Sequence, residues 1–173
     1  MYLGKPKEGE FHPHIGAYIR AVPEGDPVEL LLDQERELLA ICDSLKEEQS
    51  MFRYSEGKWS LKEVLGHLMD TERIMSYRLL CAARGDTTPL PRHAEVFVNL
   101  TNFDRRPLTG IIAEFRTIRA STISLVQGLT GEELQRSAVV NQAATSASAL
   151  TYFIIGHTLH HLNIVKERYL PQL

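Results

Sequence analysis

Cysteine is scarce. Cys42 and Cys81 are the only two, and without CxxC spacing or further partners they exclude a disulfide miniprotein and fit a reducing compartment. Positive charge is not in excess either. Lys and Arg number 19 against 22 Asp and Glu, giving a net charge of −3 and a pI of about 6.2. No overall positive field would draw in nucleic acid or an anionic membrane. Long apolar runs are missing. The most apolar stretch, around Leu150 to Ile155, is broken by His157, His160 and His161 and is too short to span a bilayer. No apolar run follows the opening Met1-Tyr2-Leu3-Gly4-Lys5-Pro6-Lys7, so no signal peptide is expected and the expected location is the cytoplasm. Internal repeats and low-complexity tracts are absent. What remains is a chain of 173 residues, 43% hydrophobic and 24% charged, the profile of one globular domain with a sizeable core.

Several catalytic signatures are also lacking. Thr158 follows His157, so the HExxH base of a metalloprotease is missing. No Glu or Asp lies three residues before any histidine, which removes the Glu-x-x-His of di-iron bundles. Gly57-Lys58-Trp59-Ser60 has the wrong upstream glycine spacing for a phosphate loop, and there is no GxSxG elbow.

The first 26 residues carry Pro6, Pro13, Pro23, Gly9, Gly16 and Gly25, which predicts an extended arm without sustained helix. Tyr18 and Ile19 are the residues of the arm able to dock on the body. The domain proper is expected over 27–173. Its first helix opens with Asp26 as N-cap, Pro27 at the first helical position and Glu29 completing a capping-box pattern. Leu30, Leu31, Leu38, Ile41 and Leu45 form its apolar stripe. The second opens at Ser60-Leu61-Lys62-Glu63 and runs to about Ala83, with Gly85 as its stop. A long connection over about 85–107, rich in proline, precedes a third helix with Ile111, Ile112, Phe115, Ile118, Ile123 and Val126 inward and Gly128 as its stop. A short piece of helix is expected near Glu95 to Asn99, and another turn at Thr130-Gly131-Glu132-Glu133. The last helix starts near Ser146 and ends before Pro171, with Leu150, Phe153, Ile154, His157, His161 and Ile164 inward. Four amphipathic helices, little strand signal and one long crossover predict an all-α four-helix bundle with an extended N-terminal arm.

The strongest chemical feature is His157-Thr158-Leu159-His160-His161. His157 and His161 are four apart, so on a helix they share one face, one turn apart. That face is the apolar one, so the pair points into the bundle, where an unpaired polar group is costly. Neutral imidazoles at this spacing can ligate one transition metal. They can equally be core-edge histidines bonded to backbone or carboxylates. His67, flanking the apolar stripe of the second helix, is the candidate third ligand. Three histidines plus solvent make an open metal site. His160 points away from the pair and is expected at the surface or behind the ligands. His12 and His14, held apart by Pro13, are expected as surface histidines, and His93 as solvated.

Glu72 falls within the apolar face of the second helix and needs a partner. An ion pair with Arg116 or Arg119 is the structural reading; a general base near the metal is the functional one. Glu72 and His160 are thus the candidate catalytic residues. Asp70 and Thr71, one turn past His67, are candidates to line the same pocket. Cys81 is expected as a small core residue, and Trp59 as packing under the start of the second helix or lining a ligand cavity.

Trp59-Ser60-Leu61-Lys62-Glu63-Val64-Leu65-Gly66-His67-Leu68, Asp70-Thr71-Glu72-Arg73 and Gly156-His157-Thr158-Leu159-His160-His161 together resemble the DinB/YfiT-like superfamily of bacterial metal-binding four-helix bundles, over about residues 27–170. The resemblance implies a divalent metal, zinc or nickel foremost, held by His67, His157 and His161. It also implies three classes of activity. The first is transfer of a low-molecular-weight thiol such as bacillithiol or mycothiol to an electrophilic small molecule. The second is metal-dependent hydrolysis. The third is a non-catalytic, metal-stabilised binding or stress-response role. The expected partners are small molecules and a second copy of the chain in a homodimer, with neither nucleic acid nor membrane.

Overall fold

The computed structural model describes residues 4–89 and 95–173. Six α-helices are described: α1 (Gly16–Ala21), α2 (Pro27–Asp43), α3 (Leu61–Ala83), α4 (Leu108–Gln127), α5 (Gly131–Gln135) and α6 (Ala147–Ile164). α2, α3, α4 and α6 form a four-helix bundle. No described helix is long and apolar enough to cross a membrane.

Local chemistry sets the helix ends. The Asp26 carboxylate accepts from the N–H groups of Val28 and Glu29, and Pro27 occupies the first turn of α2. At α3 the capping box forms in both directions. Glu63 N–H donates to Ser60 Oγ at 3.0 Å, and Ser60 N–H donates to Glu63 Oε2 at 2.9 Å. Past its end, Gly85 takes φ 75°, a conformation that side chains with a Cβ disfavour. Thr130 and Glu133 make the same reciprocal cap at α5. In α6, Ser146 Oγ accepts from Ala149 N–H.

The connection after α3 contains 3₁₀ turns over Glu95–Leu100 and Phe103–Arg105. Phe103 is buried against α3, its ring lying where a Cβ on Gly66 would stand. Asp104 ties the connection to the start of α3, accepting from Ser60 Oγ at 2.5 Å and from Arg53 Nη2 at 2.6 Å.

Two features depart from the sequence expectations. The arm is not extended throughout: Pro13–Ile15 make a 3₁₀ turn and Gly16–Ala21 one and a half turns of α-helix. Pro13 and Pro23 bound this stretch, and between them the chain is free to coil. α1 is part of the core, with Ile19 and Val22 each 1% exposed. Accordingly α6 is not amphipathic: Ala149 through Thr158 are all buried. The face that would meet solvent is covered by α1, and the Tyr18 carbonyl comes so close to Gly156 that a Cβ there would lie 2.2 Å from it.

The second departure is a β-hairpin, β1 (Ser137–Val140) and β2 (Ala143–Ser146), antiparallel with Val140 opposite Ala143. Asn141 and Gln142 turn it at φ 50° and 67°, the left-handed pair a two-residue hairpin requires. Ser146 N–H donates to Glu10 O at 2.9 Å, so the hairpin also anchors the arm.

Candidate metal centre

α3 and α6 pack on each other and bring His67 to His157 and His161. The Nε2 atoms of His67 and His157 are 3.0 Å apart. One ring nitrogen from each of the three histidines lies within 4.8 Å of the others. Ring centroids are 4.9 Å apart for His67 with each partner and 4.6 Å for His157 with His161. His67 and His157 are 3% and 6% exposed, and His161 is half-buried. Burial, reinforced by the neighbouring His67 and His160, pushes the pKa of His161 down to about 3. Its imidazole is therefore neutral at pH 7 and offers a lone pair. Two nitrogens 3.0 Å apart can both reach a common zinc, since each bond needs about 2.0–2.1 Å. The donor set fits a divalent transition ion: three imidazole nitrogens at the core edge.

Aromatic rings fix the imidazoles. Trp59 lies 4.8 Å from His67 and 6.4 Å from His161 between centroids. It does sit under the start of α3, and it also walls the histidine cluster. Phe153 stacks on His157 at 5.6 Å, and Tyr18 meets His157 at 5.8 Å. Tyr18 enters from the arm, and nothing in the local sequence pattern marks it as a neighbour of the site.

Glu72 is bound by Arg119. The guanidinium Nε donates at 2.9 and 3.2 Å to its two oxygens and Nη2 donates at 2.8 Å. Arg119 is fully buried and also donates to Leu31 O, Gln34 Oε1 and Thr158 Oγ1. Gln34 Nε2 in turn donates to Ile155 O at 2.8 Å. Of the two arginines proposed from sequence, Arg119 is the partner. The network holds α6 at Ile155 and Thr158, either side of His157, so Glu72 acts on the histidines through their helix.

His160 is exposed, its ring 5.1 Å from His161 and 5.4 Å from Tyr18, and it does not join the three-nitrogen cluster. Asp70 is half-buried and faces Arg73 at 3.9 Å. Thr71 is buried, and its hydroxyl has no partner among the described residues. Cys81 is buried, as is Cys42, whose thiol burial and Asp43 push up to about 12. His12 and His14 lie together in the arm, with Nδ1 atoms 2.5 Å apart, and His12 caps the backbone of its own turn. His93 lies outside the described residues.

The sequence profile of the DinB superfamily matches residues 30–165. The chain belongs to that superfamily. A relative from Oceanobacillus iheyensis, provisionally named a metal-dependent hydrolase, is 26% identical over 126 residues, which is 72% of each chain. The solved structure of YfiT from Bacillus subtilis, described as having an unusual four-helix bundle topology, superposes with a TM-score of 0.74. The match covers 94% of this chain and 90% of YfiT at 17% identity, a likeness of fold. The DinB match spans α3 and α6 and so takes in all three histidines.

Proposed function

We propose that this DinB-superfamily protein is a metal-dependent enzyme that transfers a low-molecular-weight thiol to an electrophilic small molecule at His67, His157 and His161. The observation that carries the reading is the composition of the centre. Three imidazoles converge, and among the described residues no carboxylate joins them, since both Glu72 oxygens are taken by Arg119. A divalent transition ion, zinc or nickel, supplies positive charge that favours the ionised form of a thiol or of water. A thiol, with a free pKa of about 8.5, needs far less help to ionise than water at about 15.7. A centre with no spare carboxylate base therefore suits the thiol better. The chain's own work is to hold three imidazoles in place through Trp59, Phe153 and the Arg119 network, and to keep the centre at the core edge, where charge is weakly screened.

Hydrolysis is the second reading, supported by the name given to the Oceanobacillus relative. One set of measurements separates the readings. Protein purified without chelators is expected to carry stoichiometric metal by elemental analysis, and His67→Ala, His157→Ala and His161→Ala each to lose it. Retention by any variant removes that histidine from the ligands. The metal-loaded protein is then offered L-cysteine with an activated aryl halide, and separately an ester panel without thiol. Turnover that needs thiol and stops on chelation supports transfer. Ester cleavage without thiol supports hydrolysis. A chelation-sensitive melting temperature with no turnover leaves the ion a stabilising role.

A further inference from the structure

A cleft of about 270 Å³ opens beside the histidine centre, with His161 in its wall. The other walls are Tyr54, Gly57, Trp59, Val64, Ile164 and Tyr169, and Lys58 stands exposed at the rim. Three aromatic rings and two aliphatic side chains make an apolar slot. Lys58 is the one cation of the described lining, which includes no carboxylate. Trp59 is shared between the cleft and the centre, since its ring contacts both His67 and His161.

The slot is built in advance of any ligand. Tyr169 Oη donates to Trp59 O at 2.8 Å, and Arg53 Nη1 donates to Lys58 O at 2.8 Å. Lys58 N–H donates to Ser55 O at 3.2 Å, and Leu61 N–H to Phe52 O at 3.3 Å. These bonds pin the main chain of Lys58 and Trp59 on both sides. Tyr54 and Tyr169 meet edge to face at 4.9 Å. The nearby Glu63 is paired with Arg53, which also pairs with Asp104, and neither carboxylate lines the cleft as described. The volume falls just under the about 300 Å³ at which pockets for drug-sized ligands begin, which is room for one ring and a short chain.

We propose that this cleft binds the unreactive end of the substrate, and that this end is a small monoanion with a flat or apolar body, its carboxylate at Lys58 and its body between Trp59, Tyr54 and Tyr169. The assignment rests on the histidine centre being the reacting centre, and it names the class of molecule that centre receives. Lys58 is then a specificity residue at the rim, and Trp59 serves both ligand and centre.

Trp59 is the single tryptophan of the chain, so its fluorescence reports the cleft. The probes are phenylacetate and its neutral counterpart phenylacetamide, titrated into the protein as purified and into chelated protein. Saturable change with phenylacetate is expected in both preparations. Phenylacetamide and the Lys58→Gln variant are each expected to weaken binding about fivefold, the scale of an exposed ion pair, while Lys58→Arg keeps it. Lys58 is exposed, so these variants are expected to fold as the parent does. Equal binding of the two probes, an unchanged affinity in Lys58→Gln, or no saturation at all overturns the assignment. So does binding that vanishes on chelation and ignores Lys58, because the carboxylate would then be held by the metal. The metal content measured above is a separate readout. A protein without metal whose cleft still selects phenylacetate would refute the centre and leave the anion site standing.

Discussion

Arg119 is the residue on which the interior polar chemistry turns. Fully buried, it binds both oxygens of Glu72 and reaches two further helices, α2 at Leu31 and Gln34 and α6 at Thr158. Removing one partner of such a pair strands the other charge away from water, at a cost of about 3–5 kcal/mol. Arg119→Met and Glu72→Gln are therefore each expected to lose stability of that order in urea denaturation, while the double change Glu72→Leu with Arg119→Met recovers most of it. A Glu72→Gln protein of near-parental stability would refute the structural role and return Glu72 to candidacy as a base. From the sequence, Glu72 is conspicuous because a carboxylate interrupts an apolar stripe, and the opposing arginines can be narrowed to two. The choice between them depends on the rotation of α4 about its axis, which no local pattern records. The ligand histidines are more legible, because the four-residue spacing of His157 and His161 is itself a statement about one helix face. Tyr18 is less so: its contact with His157 joins segments far apart in the chain.

Among the elements, those with chemical punctuation are the ones the sequence announces. Asp26 with Pro27, Ser60 with Glu63 and Thr130 with Glu133 mark three helix starts, and all three form. The hairpin carries no such mark. Its strands are four residues each, too short for alternation to stand out, and its turn uses Asn141 and Gln142 where glycine would have advertised it. α1 escapes notice because six residues between prolines are too few to show a helical period. Its seat on α6 nevertheless has a sharp test. A methyl group at position 156 would lie 2.2 Å from the Tyr18 carbonyl, and a backbone atom cannot swing aside as a flexible side chain can. Gly156→Ala is expected to destabilise the protein by about 1–3 kcal/mol and to speed proteolysis within the arm. An unchanged melting temperature together with an unchanged cleavage pattern would mean that α1 does not bear on α6 in solution.

For the molecule as a whole, the histidine cluster couples stability to acidity. His161 titrates at about 3 in the folded chain against about 6.5 for an exposed imidazole. Between these values the unfolded chain binds a proton that the folded chain refuses, so acid favours unfolding. The stability is whole above about pH 6.5 and falls away as the pH drops toward 3. Chelated protein should show urea midpoints that decline across this window, more steeply than in His161→Gln. Parallel curves for the two would refute the burial of a neutral imidazole as the cause.

The placement of α6 also bears on how the chain is made. It is the last of the bundle helices to leave a ribosome, yet ten consecutive residues of it, Ala149 to Thr158, are enclosed on every side. Until it emerges, α1, α2, α3 and α4 have no common axis to close around, and His67 waits 90 residues for its partner. Assembly of this protein is thus a closing step that waits for α6, in which interior and centre form in the same event.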